Sequence, residues 1–248
     1  MKKISIVLVA LLVSGLTYAQ EFKVAKSTGK LNLHIGRVTV EGHSGNEIIF
    51  TSKDGRDKDE DDRAKGLRAV GAGFEDNTGL GINVTEKDGV IEVNQLKKMN
   101  SPDIKVLVPK GVIVYFEHES QYGGEATFKN MENEIEVSCQ YNSVELENVT
   151  GPLTVKAVYG GVDATFSQNV KGPISIVSIY GHVDVALPLA TKANLKMTTS
   201  YGEIFMSPEF KIDVEKDGDS DRVKGTINGG GMNIDFRSDY GKIYFRKK

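Results

Sequence analysis

Tryptophan is absent from this sequence, and cysteine, histidine and proline are scarce: one, four and six in 248 residues. A lone cysteine, Cys139, excludes a disulfide framework, so the fold must rest on packed apolar surface. It shares a register with Ala157 and Ser178, as a small packing residue would, and a reactive thiol is the remote alternative. The histidines (His34, His43, His118, His182) are scattered without metal-ligand spacing. No nucleophile elbow, phosphate loop or zinc motif is present, so no cofactor is expected. Strong positive charge is lacking too. The formal net charge is −3, or about −5 without Lys2 and Lys3, which argues against a nucleic-acid partner.

Long apolar runs are missing apart from one at the start. Ile4 to Leu16 are mostly apolar behind Lys2 and Lys3, and Thr17-Tyr18-Ala19 offers a cleavage site before Gln20. The run is too short to span a bilayer comfortably, so residues 1–19 are expected to be a cleaved signal peptide. No cysteine follows it to carry a lipid. The mature chain is therefore expected to be exported, whether periplasmic, outer-surface or extracellular, with no transmembrane segment after cleavage.

What the chain has in quantity is glycine, 27 in all, and β-branched residues spaced by turns. Six times a tyrosine ends one alternating run and a turn residue opens the next. The sites are Tyr122-Gly123, Tyr141-Asn142, Tyr159-Gly160, Tyr180-Gly181, Tyr201-Gly202 and Tyr240-Gly241. Their steps are 19, 18, 21, 21 and 39 residues, the last leaving room for a missed copy. A period near ~20 marks units that bury their apolar faces only against their neighbours.

Counting from the tyrosine (Y), positions Y−6 and Y−4 are mostly apolar, as in Leu153 and Val155 or Ile174 and Ile176. Position Y−2 is always small: Ser120, Cys139, Ala157, Ser178, Thr199 and Ser238. Y+3 and Y+5 are apolar again, except that Glu125 occupies Y+3 of the first copy. Such alternation describes half-buried strands on both sides of each turn. An antiparallel hairpin fits the spacing, but a parallel coil stacks like residues at the strand spacing of about 4.8 Å. The expected fold is an all-β, right-handed parallel β-solenoid with ~20-residue coils, its corner glycines Gly160 and Gly181 at positive φ.

Residues 111–248 form the Tyr-Gly repeat region, and 20–110 an N-terminal β segment with a charged insertion at 53–79. Leu31, Leu33, Ile35, Val38 and Val40 around Gly36 look like a shorter unit. Ile48 to Ser52, Gly81 to Thr85, Val90 to Val93 and Ile104 to Val108 read as further strands, and one helical turn is expected near Arg63 to Val70. A second acidic insertion runs from Glu215 to Lys224.

Three stretches carry a family likeness: Gly36-Arg37-Val38-Thr39-Val40-Glu41-Gly42, then Ile104-Lys105-Val106-Leu107-Val108-Pro109-Lys110-Gly111, then the serial Tyr-Gly units. In these the chain resembles the bacterial putative-adhesin family of β-strand-repeat envelope proteins, a domain of unknown function, especially its Bacteroidetes-type members. The resemblance implies a β-solenoid outside the cytoplasm and brings no catalytic residues with it.

Four features bear on function. The tyrosine column is either core or a carbohydrate-binding platform, and its alternation with Ile, Val and Leu puts core first, with the Y−2 hydroxyls as partners of the phenols. Position Y+4 stacks Glu145, Asp163 and Asp184, read as a solvated acidic ladder, with a calcium site or an acid/base pair as the sharper options. Asp57–Asp61 and Asp217–Asp221 start like calcium loops, but lack the later glycine and glutamate. Val158, Val177 and Ile179 would form an outward apolar patch, covered by the insertion or an N-terminal strand, or else a partner site. These readings favour an exported, non-enzymatic binding or scaffold protein of the cell envelope. Its partner would be a protein or glycan there, with self-association a further option. The rivals are a glycan-active enzyme on a β-helix and an envelope-stress sensor acting through protein partners.

Overall fold

A computed structural model describes residues 21–52, 63, 66–68, 70–214 and 222–248. The proposed signal peptide and both partial calcium loops lie outside the described residues. Those described form strands and turns with no α-helix, and no helix among them is long and apolar enough to cross a membrane. In the first insertion Val70–Gly71 and Phe74–Glu75 make a two-stranded ladder. Arg63, where one helical turn was expected to begin, is in a 3-10 conformation, while residues 64, 65 and 69 lie outside the described residues.

Two sheets, of ten and eleven strands, face each other across one apolar core. Each repeat gives its first strand to the larger sheet, bends at the tyrosine, and gives its second strand to the smaller one. Ile135–Cys139, Leu153–Ala157 and Ile174–Ser178 pair in parallel in the larger sheet. Ser143–Val149, Val162–Phe166 and Val183–Leu187 pair in parallel in the smaller. Equivalent residues fall opposite one another, as in Val137↔Val155↔Ile176. The chain is thus a β-solenoid, and its inward columns are buried as the period-2 pattern requires.

The shorter unit around Gly36 is a coil as well: Thr28–His34 and Val38–His43 pair in parallel with Gly111–His118 and Glu125–Lys129. Antiparallel strands finish the ends of the stack. Glu21–Val24 and Ile48–Ser52 extend the smaller sheet beyond Ile104–Pro109, and Ile82–Lys87 extends the larger one beyond Val90–Gln95. At the other end Ile212–Val214 and Arg222–Ile227 cover Ala193–Thr199. Such caps close a repeat stack whose terminal faces would otherwise be bare.

Two features depart from the repeat alignment. In the first copy Phe116 lies opposite Val137 and His118 opposite Cys139, so its strand is shifted by two residues and His118, not Ser120, fills the small-residue column. The extra residues lengthen the turn, which lets Ala126 rather than Glu125 align with Val144. The second departure is larger. The final coil, Met232–Ser238 with Ile243–Lys247, does not stack on the end. It sits between the coil at 174–187 and the coil at 193–206, paired in parallel on both sides. The 39-residue step hides no missed copy. The additional residues build the capping hairpin and bring the chain back into the stack.

Candidate functional site

The site is built at the corner where each coil turns from one sheet to the other. Strand alternation keeps Y−6, Y−4 and Y−2 inward, and the strand ends at Y−2, one residue before a bend. At that bend the alternation stops, so the tyrosine is not carried inward. Tyr141, Tyr159, Tyr180 and Tyr240 are 44–53% exposed and Tyr201 75%, which overturns the expectation that they form core.

The rings stack instead into an external ladder ordered Tyr141, Tyr159, Tyr180, Tyr240, Tyr201. Successive centroids lie 4.9, 5.1, 5.0 and 4.9 Å apart, with ring planes 7° to 20° from parallel. This spacing is the strand repeat itself, so the sheets dictate the ladder. The three inner rings have both faces covered by their neighbours, and Tyr141 and Tyr201 at the ends have one. What the ladder offers to solvent is a row of ring edges and phenol hydroxyls about 20 Å long at that repeat. None of these hydroxyls has a hydrogen-bond partner among the described residues. Tyr122 stands outside the ladder because its turn is longer.

The Y−2 hydroxyls serve the corner backbone rather than the phenols. Gly181 N–H donates to Ser178 Oγ (3.0 Å), and that hydroxyl donates to the Gly160 carbonyl of the preceding coil (2.9 Å). Ser238 Oγ donates in the same way to the Gly181 carbonyl (2.8 Å), and Thr199 Oγ1 accepts from Gly202 N–H (2.8 Å). Cys139 fills its place in that column: burial pushes its thiol up to about 11, and its Sγ lies 3.6 Å from the Asn142 carbonyl. In the shifted first coil His118 Nδ1 meets Asn142 Oδ1 at 2.8 Å, and Asn142 Nδ2 donates to the Gly36 carbonyl (2.8 Å).

Gly160 and Gly181 are not in the positive-φ region, contrary to expectation. Their need for glycine is steric. A Cβ on Gly160 would overlap the Asn142 carbonyl, one on Gly181 the Gly160 carbonyl, and one on Gly241 the Gly181 carbonyl. Corner backbones of successive coils therefore approach too closely for any side chain, and the tyrosines rise beside that stripe.

Glu145, Asp163 and Asp184 do stack in one column, but it is not simply solvated. Side chains from other registers engage two of them: His182 Nε2 lies 3.1 Å from Asp163, and the Arg246 guanidinium clamps Asp184 at 2.6 and 2.8 Å. Glu145 is pushed up to about 7, chiefly by sharing a hydrogen bond with Glu125, then by burial and the nearby negative charges. The other histidines are also occupied singly, His34 with Glu92 and Glu117, His43 with the Glu47 carbonyl.

Val158, Val177 and Ile179 are half-buried rather than bare. The described part of the insertion does not cover them. It lies at the far end of the stack, where Asn77 Nδ2 donates to the Val84 carbonyl (2.7 Å). Strand Glu21–Val24 is on the other sheet. Val158 and Ile179 directly precede Tyr159 and Tyr180, so they border the ladder as a neighbouring column.

Sequence pattern identified the tyrosines, the small Y−2 residues, the corner glycines and the acidic column, but it missed Arg246 and placed the tyrosines on the wrong side. The signal that would have corrected it was the glycine after them: a residue too crowded for a Cβ marks a corner, where period 2 no longer holds.

Residues 129–245 match the Toastrack DUF4097 family. A crystal structure described as a putative cell adhesion protein from Clostridium sporogenes has 16% identity and a TM-score of 0.49, covering 93% of this chain and 100% of that one. Another, described as a putative adhesin from Bacteroides fragilis, has 12% identity and a TM-score of 0.38, covering 94% and 98%. No curated protein sequence matches the chain.

Proposed function

From a chain whose residues 129–245 are a Toastrack DUF4097 domain, we propose an exported, adhesin-like protein that binds a component of the cell envelope without chemical turnover. One observation carries this reading: five tyrosines stacked outside the core, their edges open to solvent over the length of the ladder. A stabilising core needs no such row at the surface, whereas tyrosine supplies large, rigid, amphipathic contact area at small entropic cost. The non-enzymatic part rests on the carboxylates. Asp163 and Asp184 are engaged by His182 and Arg246, leaving neither poised as an acid or a nucleophile. Export rests on the leader-like residues 1–19.

The test is co-sedimentation of the purified mature protein with isolated envelopes of the producing cells, alongside a variant carrying Tyr159→Ser and Tyr180→Ser. Saturable sedimentation of the wild type and its loss in the variant is the expected result. Equal sedimentation of the two, or none by either, overturns the reading.

Scaffolding through self-association is a second reading, favoured by the last rung of the smaller sheet. Among the described residues strand Ile204–Met206 pairs on one side only, with Ile243–Lys247, and Phe205 and Met206 are exposed there. An open edge of this kind is a template for another strand.

A further inference from the structure

The ladder's spacing, hydrogen-bonding character and charge narrow what it can bind. We propose that the tyrosine ladder binds a neutral, extended, β-1,4-linked glycan, one pyranose per coil, through its row of phenol hydroxyls. The proposal rests on the envelope-binding reading above and names the ligand class for the same strip.

Spacing comes first. The tyrosines repeat every 4.9 to 5.1 Å along the stack. An extended peptide advances only about 3.3 Å per residue and falls out of step after one or two contacts. A pyranose residue in an extended β-1,4-linked chain advances by close to one tyrosine step, so successive sugars meet successive phenols. Hydrogen bonding points the same way. Because both faces of Tyr159, Tyr180 and Tyr240 are covered by their neighbours, the contact along the ladder cannot be the usual sugar-on-face stacking. Each phenol hydroxyl donates and accepts, as sugar hydroxyls do. Val158 and Ile179 in the preceding column provide half-buried apolar surface for the C–H groups of the sugar rings.

Charge disfavours the ionic polymers. Most of the charged groups bordering the ladder are already paired with one another. Arg237 Nε holds Asp239 at 2.6 Å, Lys242 meets Glu203 at 2.8 Å, and His182 meets Asp163 at 3.1 Å. Among the described residues Lys156, in the same column as Arg237, is left without a carboxylate partner, but against one such cation the chain's net charge of −3 repels a uronate or phosphate polymer. The site is therefore matched to a ligand without charge.

The experiment measures binding of the mature protein to β-1,4-linked oligomers of glucose, N-acetylglucosamine and mannose of increasing length, by calorimetry. A variant carrying Tyr159→Phe, Tyr180→Phe and Tyr240→Phe keeps the stacked rings and removes only three hydroxyls. At least one series should bind the wild type, tightening with each added sugar up to about five and then levelling as the ladder is filled. The phenylalanine variant should melt within a degree or two of wild type and bind at least tenfold more weakly. Silence toward all three series, binding that ignores chain length, or equal binding by the variant overturns the proposal. If the serine variant above loses envelope binding while all three glycans are silent, the glycan assignment fails and the envelope-binding reading stands. If an acidic polysaccharide binds in preference, the charge argument is wrong.

Discussion

The coils at 135–187 stack in the order in which the chain makes them, while the coil at 232–247 enters the stack between two that precede it. Both obey the same local rules. Ser238 reaches the Gly181 carbonyl as Ser178 reaches the Gly160 carbonyl, and Tyr240 stacks on Tyr180 as Tyr180 does on Tyr159. A coil can therefore enter wherever its columns match, because the forces holding it are lateral and identical at each level. Position along the stack is decided elsewhere, by the connection. Here the capping hairpin and Asn228, whose Nδ2 donates to the Leu189 and Thr191 carbonyls (both 2.8 Å), return the chain to the gap.

The largest expected effects test whether the inserted coil is as integral as the consecutive ones. Phe236, Phe245 and Phe166 are all essentially fully buried. Each truncation to alanine should cost about 3–5 kcal/mol in urea unfolding. A much smaller loss at Phe236 and Phe245 than at Phe166 would make the inserted coil a loosely held appendage and break the comparison.

Next come the corners. Gly160→Val in a consecutive coil and Gly241→Val in the inserted one both drive a side chain into a neighbouring carbonyl, and each should lower stability by about 1–3 kcal/mol. Asp163→Asn, on the exposed surface of the same stack, should stay within about 0.5 kcal/mol. Valine tolerated at Gly241 alone would show that the inserted coil sits farther from its neighbour than Gly160 from Asn142.

The smallest effect is a pH dependence that separates the two regions. In the outer acidic column the inserted coil supplies Arg246 to Asp184, whereas Glu145 faces Glu125 of the first coil. A carboxyl raised from its ordinary 4.5 to about 7 binds more protons folded than unfolded. Its contribution is present at low pH and lost as pH rises through that window. The melting temperature should fall modestly between about pH 5 and 7.5, and Glu145→Gln should flatten that slope. An unchanged slope would mean that the pair shares no proton.

Much of this molecule was legible from residue type and period. The alternation at Leu153, Val155 and Ala157, followed by Val162 and Ala164, pointed to half-buried strands stacked in parallel, because burial of one face leaves a period of two. The Y−2 column was found as small, but its work was misassigned: a hydroxyl at Ser178 serves whichever polar group is nearest, and the corner carbonyl is nearer than the phenol. The insertion of 232–247 was hidden because identical columns give no clue to order. His118 was misaligned because a longer turn shifts the strand by two residues, which preserves inward and outward and so leaves the pattern intact. Arg246 and His182 were not connected to the acidic column, since they reach it from other registers and from a coil distant in sequence.

The central claim is that the tyrosines lie outside while the small residues two positions before them lie inside. Chemical modification of the folded protein, read by peptide mass spectrometry, tests it directly. Nitration should modify Tyr141, Tyr159, Tyr180, Tyr201 and Tyr240 without denaturant, while Cys139, 3% exposed with its thiol pushed up to about 11, should react with a thiol reagent only after unfolding. Tyrosines protected until the protein unfolds, or a Cys139 that reacts as fast folded as unfolded, would contradict the account.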